Sequence, residues 1–162
     1  MMRALRILIL SGWAVIGGAI AGQANLNVDN LLLTPDEVKP SCEMITGEHP
    51  VRKETQTFYE QGINSELLPL VLNKRLQSFR CGKQKGTLYY FEYTDIPERE
   101  KAEVYARTTL WGGGKAPTPK YPDQIFHSDR FLMILSFKDI QRELLAALLK
   151  RIKAQGVAMP AK

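Results

Sequence analysis

Two stretches of strongly β-forming residues constrain the fold of this 162-residue chain more than any other feature. The first reads LYYFEY at 88–93, and the second reads FLMIL at 131–135. Each follows a shorter β-rich segment, at 78–81 and 124–127, across a turn built from glycine or from Ser-Asp. Strand-forming runs separated by such turns are typical of β-hairpins. The sequence therefore predicts two hairpins, which set the frame of the fold.

Helical patterns flank both hairpins. Apolar residues recur at spacings of three and four in 64–76, 95–111 and 138–154, which predicts three amphipathic helices. Asp95 is the expected N-cap of the middle helix, and the glycines after Trp111 are expected to end it. The charged residues that follow Asp95 are expected to form an exposed first turn.

The N-terminal third is less regular. Residues 25–33 are expected to form an arm, and Thr34 begins a short helix that Pro40 ends. Residues 41–50 are rich in turn formers, and the near alternation in 51–59 predicts a strand.

These elements predict an α+β fold with a four-stranded antiparallel sheet made from the two hairpins. The helices are expected on one face of this sheet, in the order helix–hairpin–helix–hairpin–helix, with an irregular N-terminal region before them. Residues 91–96 and 135–140 echo each other, because each is a strand running into a helix that Asp95 or Asp139 is expected to cap. The predicted parts of the chain are a signal peptide at 1–24, an arm with a short helix and turns at 25–50, an α+β domain at 51–156 and a flexible tail at 157–162.

The predicted signal peptide has three parts. Arg3 and Arg6 precede an uncharged apolar run at 7–21, and small residues then lead to an expected cleavage site after Ala24, with Ala21 as a second site. A membrane anchor is the alternative, although the run is shorter than the roughly 20 apolar residues that a span needs. The expected location is therefore periplasmic or secreted, with no membrane span once the signal has been removed.

The charge of the chain is modest after signal removal. Of the 22 basic residues two lie in the signal, and none of the 17 acidic residues does, which leaves a net charge of +3. The basic residues form no continuous run. Such a charge needs no nucleic acid partner to explain it.

The two cysteines, Cys42 and Cys81, predict a disulfide, because an even count in an exported chain is typical of a bridge. A Cys2His2 metal site with His49 and His127 is an alternative, but no two of the four show the short spacing of zinc ligands. A catalytic thiol is another alternative, and it would need a partner base. No metal and no cofactor is expected.

Two motifs that resemble catalytic sites are better explained as structure. The glycines between Trp111 and Lys115 end a helix, whereas a phosphate-binding loop leads into one. The neighbours His127, Ser128 and Asp129 cannot assemble a catalytic relay, because adjacent side chains do not point at one another. Ser128-Asp129 is instead predicted to be the turn of the second hairpin. No catalytic residue is therefore predicted with a defined role.

The remaining candidate is a contact surface around the Gly- and Pro-rich loop at 112–122. Long ordered loops often carry function, and aromatic side chains beside a lysine make good contact points. The predicted contact residues are Trp111, Lys115, Tyr121, Phe126 and His127. The alternative is that Trp111 and Phe126 are core residues and the loop is only a connection.

The sequence thus predicts a small exported domain that binds a protein or another envelope component without catalysing a reaction. The alternative is a small exported enzyme that uses His127 or His49 with carboxylates distant in the sequence.

Overall fold

A computed structural model describes residues 26–47, 53–61 and 71–155 of the chain. The predicted signal peptide, His49 and the tail at 157–162 lie outside these residues. The helices are a 3-10 helix at Val28–Leu31, then α1 (Pro35–Val38), α2 (Lys53–Gln61), α3 (Ile96–Leu110) and α4 (Arg142–Ala154). The strands are β1 (Glu43–Ile45), β2 (Val71–Cys81), β3 (Gln84–Tyr93), β4 (Gln124–Ser128) and β5 (Phe131–Ser136).

The strands form one antiparallel sheet in the order β1-β2-β3-β5-β4. Both predicted hairpins are present, as β2–β3 and β4–β5, and they meet through β3 and β5. The α+β class and the antiparallel sheet are therefore confirmed. The predicted count of four strands is wrong, because Glu43–Ile45 adds a fifth strand along the end of β2. Three residues are too short a run for a strand to be recognised from alternation.

The prediction that the helices pack on one face is also wrong. Alternate residues of the central strands face two separate cores. We call one side the arm face, because the N-terminal arm, α1 and α4 pack on it against Leu88, Tyr90, Phe131, Met133 and Leu135. We call the other side the α3 face, because α2 and α3 pack on it against Tyr89, Phe91, Tyr93, Leu132 and Ile134. A strand covered on both faces has an almost continuous apolar sequence, which explains the runs in β3 and β5.

The helix predictions hold in part. Asp95 caps α3 as predicted, since its Oδ1 accepts the Glu98 N–H at 2.9 Å. The segment 51–59, predicted as a strand, forms helix α2 over its described part. The helix predicted at 64–76 is wrong over residues 71–76, which belong to β2, and its earlier part lies outside the described residues. The predicted element order therefore differs in detail.

The last helix starts later than predicted. It begins at Arg142 rather than Lys138, with Gln141 as its N-cap. Asp139 instead accepts a hydrogen bond from the Gln84 amide at 2.5 Å. The echo between 91–96 and 135–140 therefore does not extend to the capping role. The helices that follow the two hairpins also pack on opposite faces of the sheet.

The N-terminal arm is held on the arm face by one buried carboxylate. Glu92, which is 4% exposed, accepts the Val28 N–H at 3.2 Å and the Asn73 side-chain amide at 2.9 Å. Arg130 binds Glu92 at 2.9 Å and also donates to the Leu26 carbonyl at 2.5 Å. Backbone and side-chain donors together satisfy this carboxylate, so the arm is an integral part of the fold.

The predicted disulfide between Cys42 and Cys81 is present. Both cysteines lie in the core of the arm face, and the bridge joins the segment after α1 to the end of β2. A disulfide is typical of an oxidising, extracytoplasmic environment. In the parts of the chain that the structure describes, no helix is long and apolar enough to cross a membrane.

Candidate functional site

Helix α3 lies along the edge strand β4 on the α3 face. Near the start of the helix, the Arg99 Nε donates to the Asp129 carbonyl in the β4–β5 turn at 3.1 Å. One turn later, Glu103 contacts His127 in the middle of β4. Residues spaced by four on a helix share one face, so α3 presents Arg99, Glu103 and Arg107 toward β4 as a stripe.

Glu103 is the centre of a polar cluster. Its Oε2 accepts from Arg99 Nη1 at 2.8 Å and lies 2.7 Å from His127 Nδ1. Its Oε1 accepts from Arg107 Nε at 2.9 Å and from Arg107 Nη2 at 2.5 Å. Both carboxylate oxygens are therefore fully engaged, two guanidinium groups and one imidazole sharing a single carboxylate.

The electrostatics of Glu103 follow from these contacts. Burial by itself raises the pKa of a carboxyl group, because it disfavours the charged form. Here the hydrogen bond from Arg107 and the charges of His127 and Arg107 outweigh burial, so the pKa of Glu103 lies below its ordinary value. Glu103 is therefore held as a carboxylate and anchors its three partners.

The cluster is closed at one end and open at the other. The side chains of Arg99 and Glu103 are only 8% and 9% exposed, whereas those of His127 and Arg107 are 29% and 39% exposed. Because Glu103 takes Nδ1 of His127, the Nε2 atom is directed away from the carboxylate. Among the described residues, His127 Nε2 and Arg107 Nη1 have no hydrogen-bond partner. Arg107 Nη1 can therefore donate a hydrogen bond to another molecule, and His127 Nε2 can form one.

Trp111 links this cluster to the loop at 112–122. Its ring lies beneath the Arg107 guanidinium, 4.8 Å from the ring centroid, and its Nε1 donates to the Asp123 carbonyl at 2.8 Å. Asp123 in turn accepts from Thr55 of α2 at 2.8 Å. Trp111 thus joins both ends of the loop, and at 6% exposure it belongs to the core of the α3 face.

The predicted contact residues do not share one face. Lys115 is exposed in the loop, and Tyr121 is half-buried and packs against the same core as Trp111. Phe126 and His127 are neighbours in β4, so their side chains point to opposite faces. Phe126 is half-buried against the arm-face core, and His127 lies on the α3 face. What Phe126 and His127 share is the edge strand itself.

The stripe on α3 is the part of the site that sequence reasoning missed. The charged residues after Asp95 were expected to be solvent-exposed, yet Arg99 is buried at 6% exposure. The spacing of Arg99, Glu103 and Arg107 by four residues was the available signal, since it puts alternating charges on one helix face. Their partner His127 could not be inferred, because it depends on how α3 lies over β4.

The sequence at 127–129 and the glycines after α3 both lie at the ends of secondary-structure elements. Asp129 has a left-handed backbone with φ of 52°, as a residue in a tight hairpin turn requires. The turn lies at 129–130, one residue later than predicted, because Ser128 still belongs to β4 and pairs with Phe131. Ser128 is buried on the face opposite His127. Gly112 and Gly113 after α3 have positive φ, which fits a helix terminus. The described residues contain no group of three or more His, Cys, Asp or Glu side chains that could hold a metal ion.

Comparison with protein-family models, with curated proteins and with solved structures finds no match.

Proposed function

We propose that the chain is an exported binding domain that acts by contact with a partner protein or another envelope component, without catalysing a reaction. The contact surface that we assign to it consists of the loop at 112–122, strand β4 and the exposed atoms of Arg107. We call this the β4 surface. The observation that carries the proposal is the partly exposed pair of His127 and Arg107, whose side chains are 29% and 39% exposed, beside an edge strand.

Export is supported by two independent features. The N-terminal sequence has the basic, apolar and small-residue parts of a signal peptide. The disulfide between Cys42 and Cys81 fits an oxidising compartment. Intact-mass measurement of the exported protein is expected to give a chain that begins after Ala24 or Ala21 and lacks two hydrogens relative to the fully reduced form.

The number of partners that Glu103 has favours binding over general base catalysis. A carboxylate that supports a catalytic histidine stabilises the imidazolium that forms during the reaction. Glu103 already shares its two oxygens among Arg99, Arg107 and His127, so it is not dedicated to the imidazole alone. The exposed Glu100 lies 3.6 Å from Arg99. The exposed end of the cluster, at Arg107 and His127, is better suited to attract an anionic group.

Site-specific photo-crosslinking in the producing cells tests the proposal. A photoreactive amino acid is placed on the β4 surface at Lys115, Lys120 or Gln124, and at the exposed control positions Lys39 and Lys153 on the arm side. We expect one defined adduct from the β4 surface and none from the controls. Equal labelling from both sets, or no adduct from the β4 surface in correctly exported protein, would contradict a contact function at this surface.

The second candidate is an enzyme with His127 as general base. The observation in its favour is the 2.7 Å contact between His127 Nδ1 and Glu103, which joins a histidine to a carboxylate far away in sequence. This candidate predicts that His127→Gln abolishes a turnover reaction of the exported protein. The binding function predicts instead that His127→Gln weakens adduct formation and changes no turnover.

A further inference from the structure

Strand β4 is the last strand of the sheet, so one of its edges is not paired with another strand of the described residues. The register pairs Ser128 with Phe131 across a two-residue turn, so this pair closes the hairpin through hydrogen bonds. Pairs then alternate along an antiparallel ladder, which makes His127–Leu132 and Ile125–Ile134 non-hydrogen-bonded pairs. The backbone N–H and C=O groups of His127 and Ile125 therefore point away from β5.

The features that usually protect an edge strand from pairing are missing in β4. Protein edges are commonly blunted by lysine, proline, a bulge or very short length. Strand β4 reads QIFHS and pairs with β5 without a register shift. The opposite edge consists of β1, which has only three residues, and of residues 71–77 of β2, which β1 does not pair with. This part of β2 carries Lys74 and Arg75 and has a register shift between Val71 and Asn73. Of the two edges, β4 is therefore the one without these protective features.

The stripe on α3 determines what an added strand would meet on the α3 face. A residue paired with His127 would place its side chain on the same face, with Cβ atoms about 4.5–5.5 Å apart. That side chain would lie beside His127 Nε2 and the exposed Arg107 guanidinium. An Asp or Glu carboxylate is complementary to both groups, whereas a lysine or arginine there would be repelled by Arg107.

The other face of β4 adds a second requirement. Phe126 is half-buried on the arm face, packed on one side against the core. In an added strand, the residues that pair with Phe126 and with His127 are neighbours. Their side chains therefore point to opposite faces, and the residue beside Phe126 points to the arm face. An apolar side chain there would cover the part of Phe126 that remains exposed.

We propose that the β4 edge binds an extended segment of a partner protein as a sixth strand, with an Asp or Glu beside His127 and Arg107 and an apolar residue next to it over Phe126. This inference rests on the proposed contact function. It names the chemistry of the partner and the way in which it binds.

A second copy of this chain is a poorer occupant of the edge. Two β4 strands paired with each other would bring the His127 and Arg107 side chains of both copies to one interface. The nearest carboxylate, Glu103, already accepts from Arg99, Arg107 and His127 through both oxygens. No carboxylate of this cluster is therefore left to balance the charge, and the acidic group has to come from another sequence.

Selection from a displayed library of random short peptides against the oxidised protein tests the inference. We expect the selected peptides to share an Asp or Glu with an adjacent apolar residue. The affinity of such a peptide is expected to fall about tenfold or more when its acidic residue becomes Asn or Gln, and by a similar factor with Arg107→Gln. The matched control Arg142→Gln, an exposed arginine outside the β4 surface, is expected to leave the affinity unchanged.

Methylation of the peptide backbone tests strand addition separately from charge. In an added strand, the N–H groups of alternate residues point toward β4. Methyl groups on these nitrogens remove the hydrogen bonds to β4, whereas methyl groups on the other nitrogens do not. We expect one of the two alternately methylated peptides to lose binding and the other to keep it. Equal binding of both peptides would overturn strand addition.

The remaining outcomes also decide the proposal. Selected peptides without an acidic residue, or no selected peptide from protein with an intact disulfide, overturn the inference. A dimer in sedimentation that acidic peptides do not dissociate would assign the edge to a second copy and overturn it too. If crosslinking at the β4 surface succeeds while peptide selection fails, the contact function stands and only the acidic strand is wrong. If both fail, the contact function itself fails.

Discussion

Two buried glutamates on opposite faces of the sheet make a direct comparison. Glu92 in β3 is 4% exposed, and Glu103 in α3 is 7% exposed. Each accepts hydrogen bonds from an arginine that reaches toward solvent, Arg130 for Glu92 and Arg107 for Glu103. The chemistry of the two sites is therefore alike, and what differs is the set of groups that completes each one.

At Glu92 the set is completed by the fold itself. The other donors are the Val28 N–H and the Asn73 amide, and the second contact of Arg130 is the Leu26 carbonyl. At Glu103 the set ends in His127 and Arg107, which are 29% and 39% exposed. Arg130 and Arg107 each have one guanidinium nitrogen, Nη1, without a hydrogen-bond partner among the described residues. The two sites therefore differ in the partly exposed histidine of the edge strand, which belongs to the Glu103 cluster.

The largest predicted effects come from neutralising the two glutamates. Glu103→Gln is expected to destabilise the fold by about 3–5 kcal/mol, because it leaves the buried Arg99 with only the exposed Glu100 as a counter-charge. Glu92→Gln is expected to cost about 2–3 kcal/mol, because Arg130 is 27% exposed and can be solvated in part. Chemical denaturation of the two purified variants measures both values.

The two glutamate variants are expected to differ in peptide binding, although both lose stability. In the folded fraction, Glu103→Gln is expected to weaken binding of an acidic peptide, because His127 and Arg107 lose the group that orients them. Glu92→Gln is expected to leave that binding unchanged. Equal losses of affinity in the two variants would break the distinction between a structural and a supporting carboxylate.

The disulfide is predicted to affect the arm face more than the α3 face. Cys42 and Cys81 are 39 residues apart and lie in the arm-face core. Closing a loop of about 40 residues stabilises a fold by about 4 kcal/mol in the chain-entropy model. The double variant Cys42→Ser/Cys81→Ser is expected to lose about this much. Amide hydrogen exchange is expected to speed up first at Val28 and Leu33, and faster exchange in β4 before the arm would reverse the assignment.

Much of the fold could be predicted because the apolar sequences of the central strands show that these strands are buried. Strands β3 and β5 are covered on both faces, so their residues are apolar regardless of alternation. The disulfide followed from the count of cysteines and the signal. The face on which each helix packs could not be predicted, because β3 and β5 offer an apolar surface on both sides.

Helix α2 shows how a local pattern can mislead. Its residues alternate in a way that fits a strand, with Thr55, Thr57 and Tyr59 on one side. The same segment also has a helical spacing at Thr55, Phe58 and Tyr59, and these are the residues that contact Asp123, Phe91 and Tyr89. Two periods fit nine residues equally well, so tertiary contacts decide between them.

The candidate site was only partly accessible to sequence reasoning for a related reason. His127 and the loop at 112–122 were recognised by residue type. The partners of His127 come from α3, 24 residues earlier at Glu103, and only the packing of α3 along β4 brings them together. The turn residues Asp129 and Arg130 reach the α3-face and arm-face clusters respectively, a division that no sequence pattern indicates.

Acid is predicted to destabilise the Glu103 cluster. Burial raises the pKa of Glu103, but Arg107 and His127 together lower it by more than burial raises it. The pKa of Glu103 in the folded state therefore lies below its ordinary value. A carboxyl group with a lowered pKa stabilises the fold above its unfolded-state pKa of about 4.3, and this stabilisation is lost as pH falls through the folded-state value. The denaturant concentration at the midpoint of unfolding is therefore expected to decrease as the pH is lowered below about 4. Glu103→Gln is expected to flatten this acid limb, and an unchanged slope in the variant would place the titrating group elsewhere.

The smallest predicted effect belongs to an exposed ion pair on the same arm that Glu92 holds. Arg75 Nε lies 2.7 Å from Asp29, and the two side chains are 44% and 51% exposed. Exposed pairs of this kind contribute between zero and about 1 kcal/mol, because water and salt screen them. Arg75→Gln is therefore expected to cost less than about 1 kcal/mol, and the difference is expected to shrink in high salt. The Arg75–Asp29 pair and the Glu92 contacts tie neighbouring parts of the arm to the same sheet, so the two variants can be compared directly. A loss of stability as large as that of Glu92→Gln would mean that the arm depends on the surface pair rather than on the buried carboxylate.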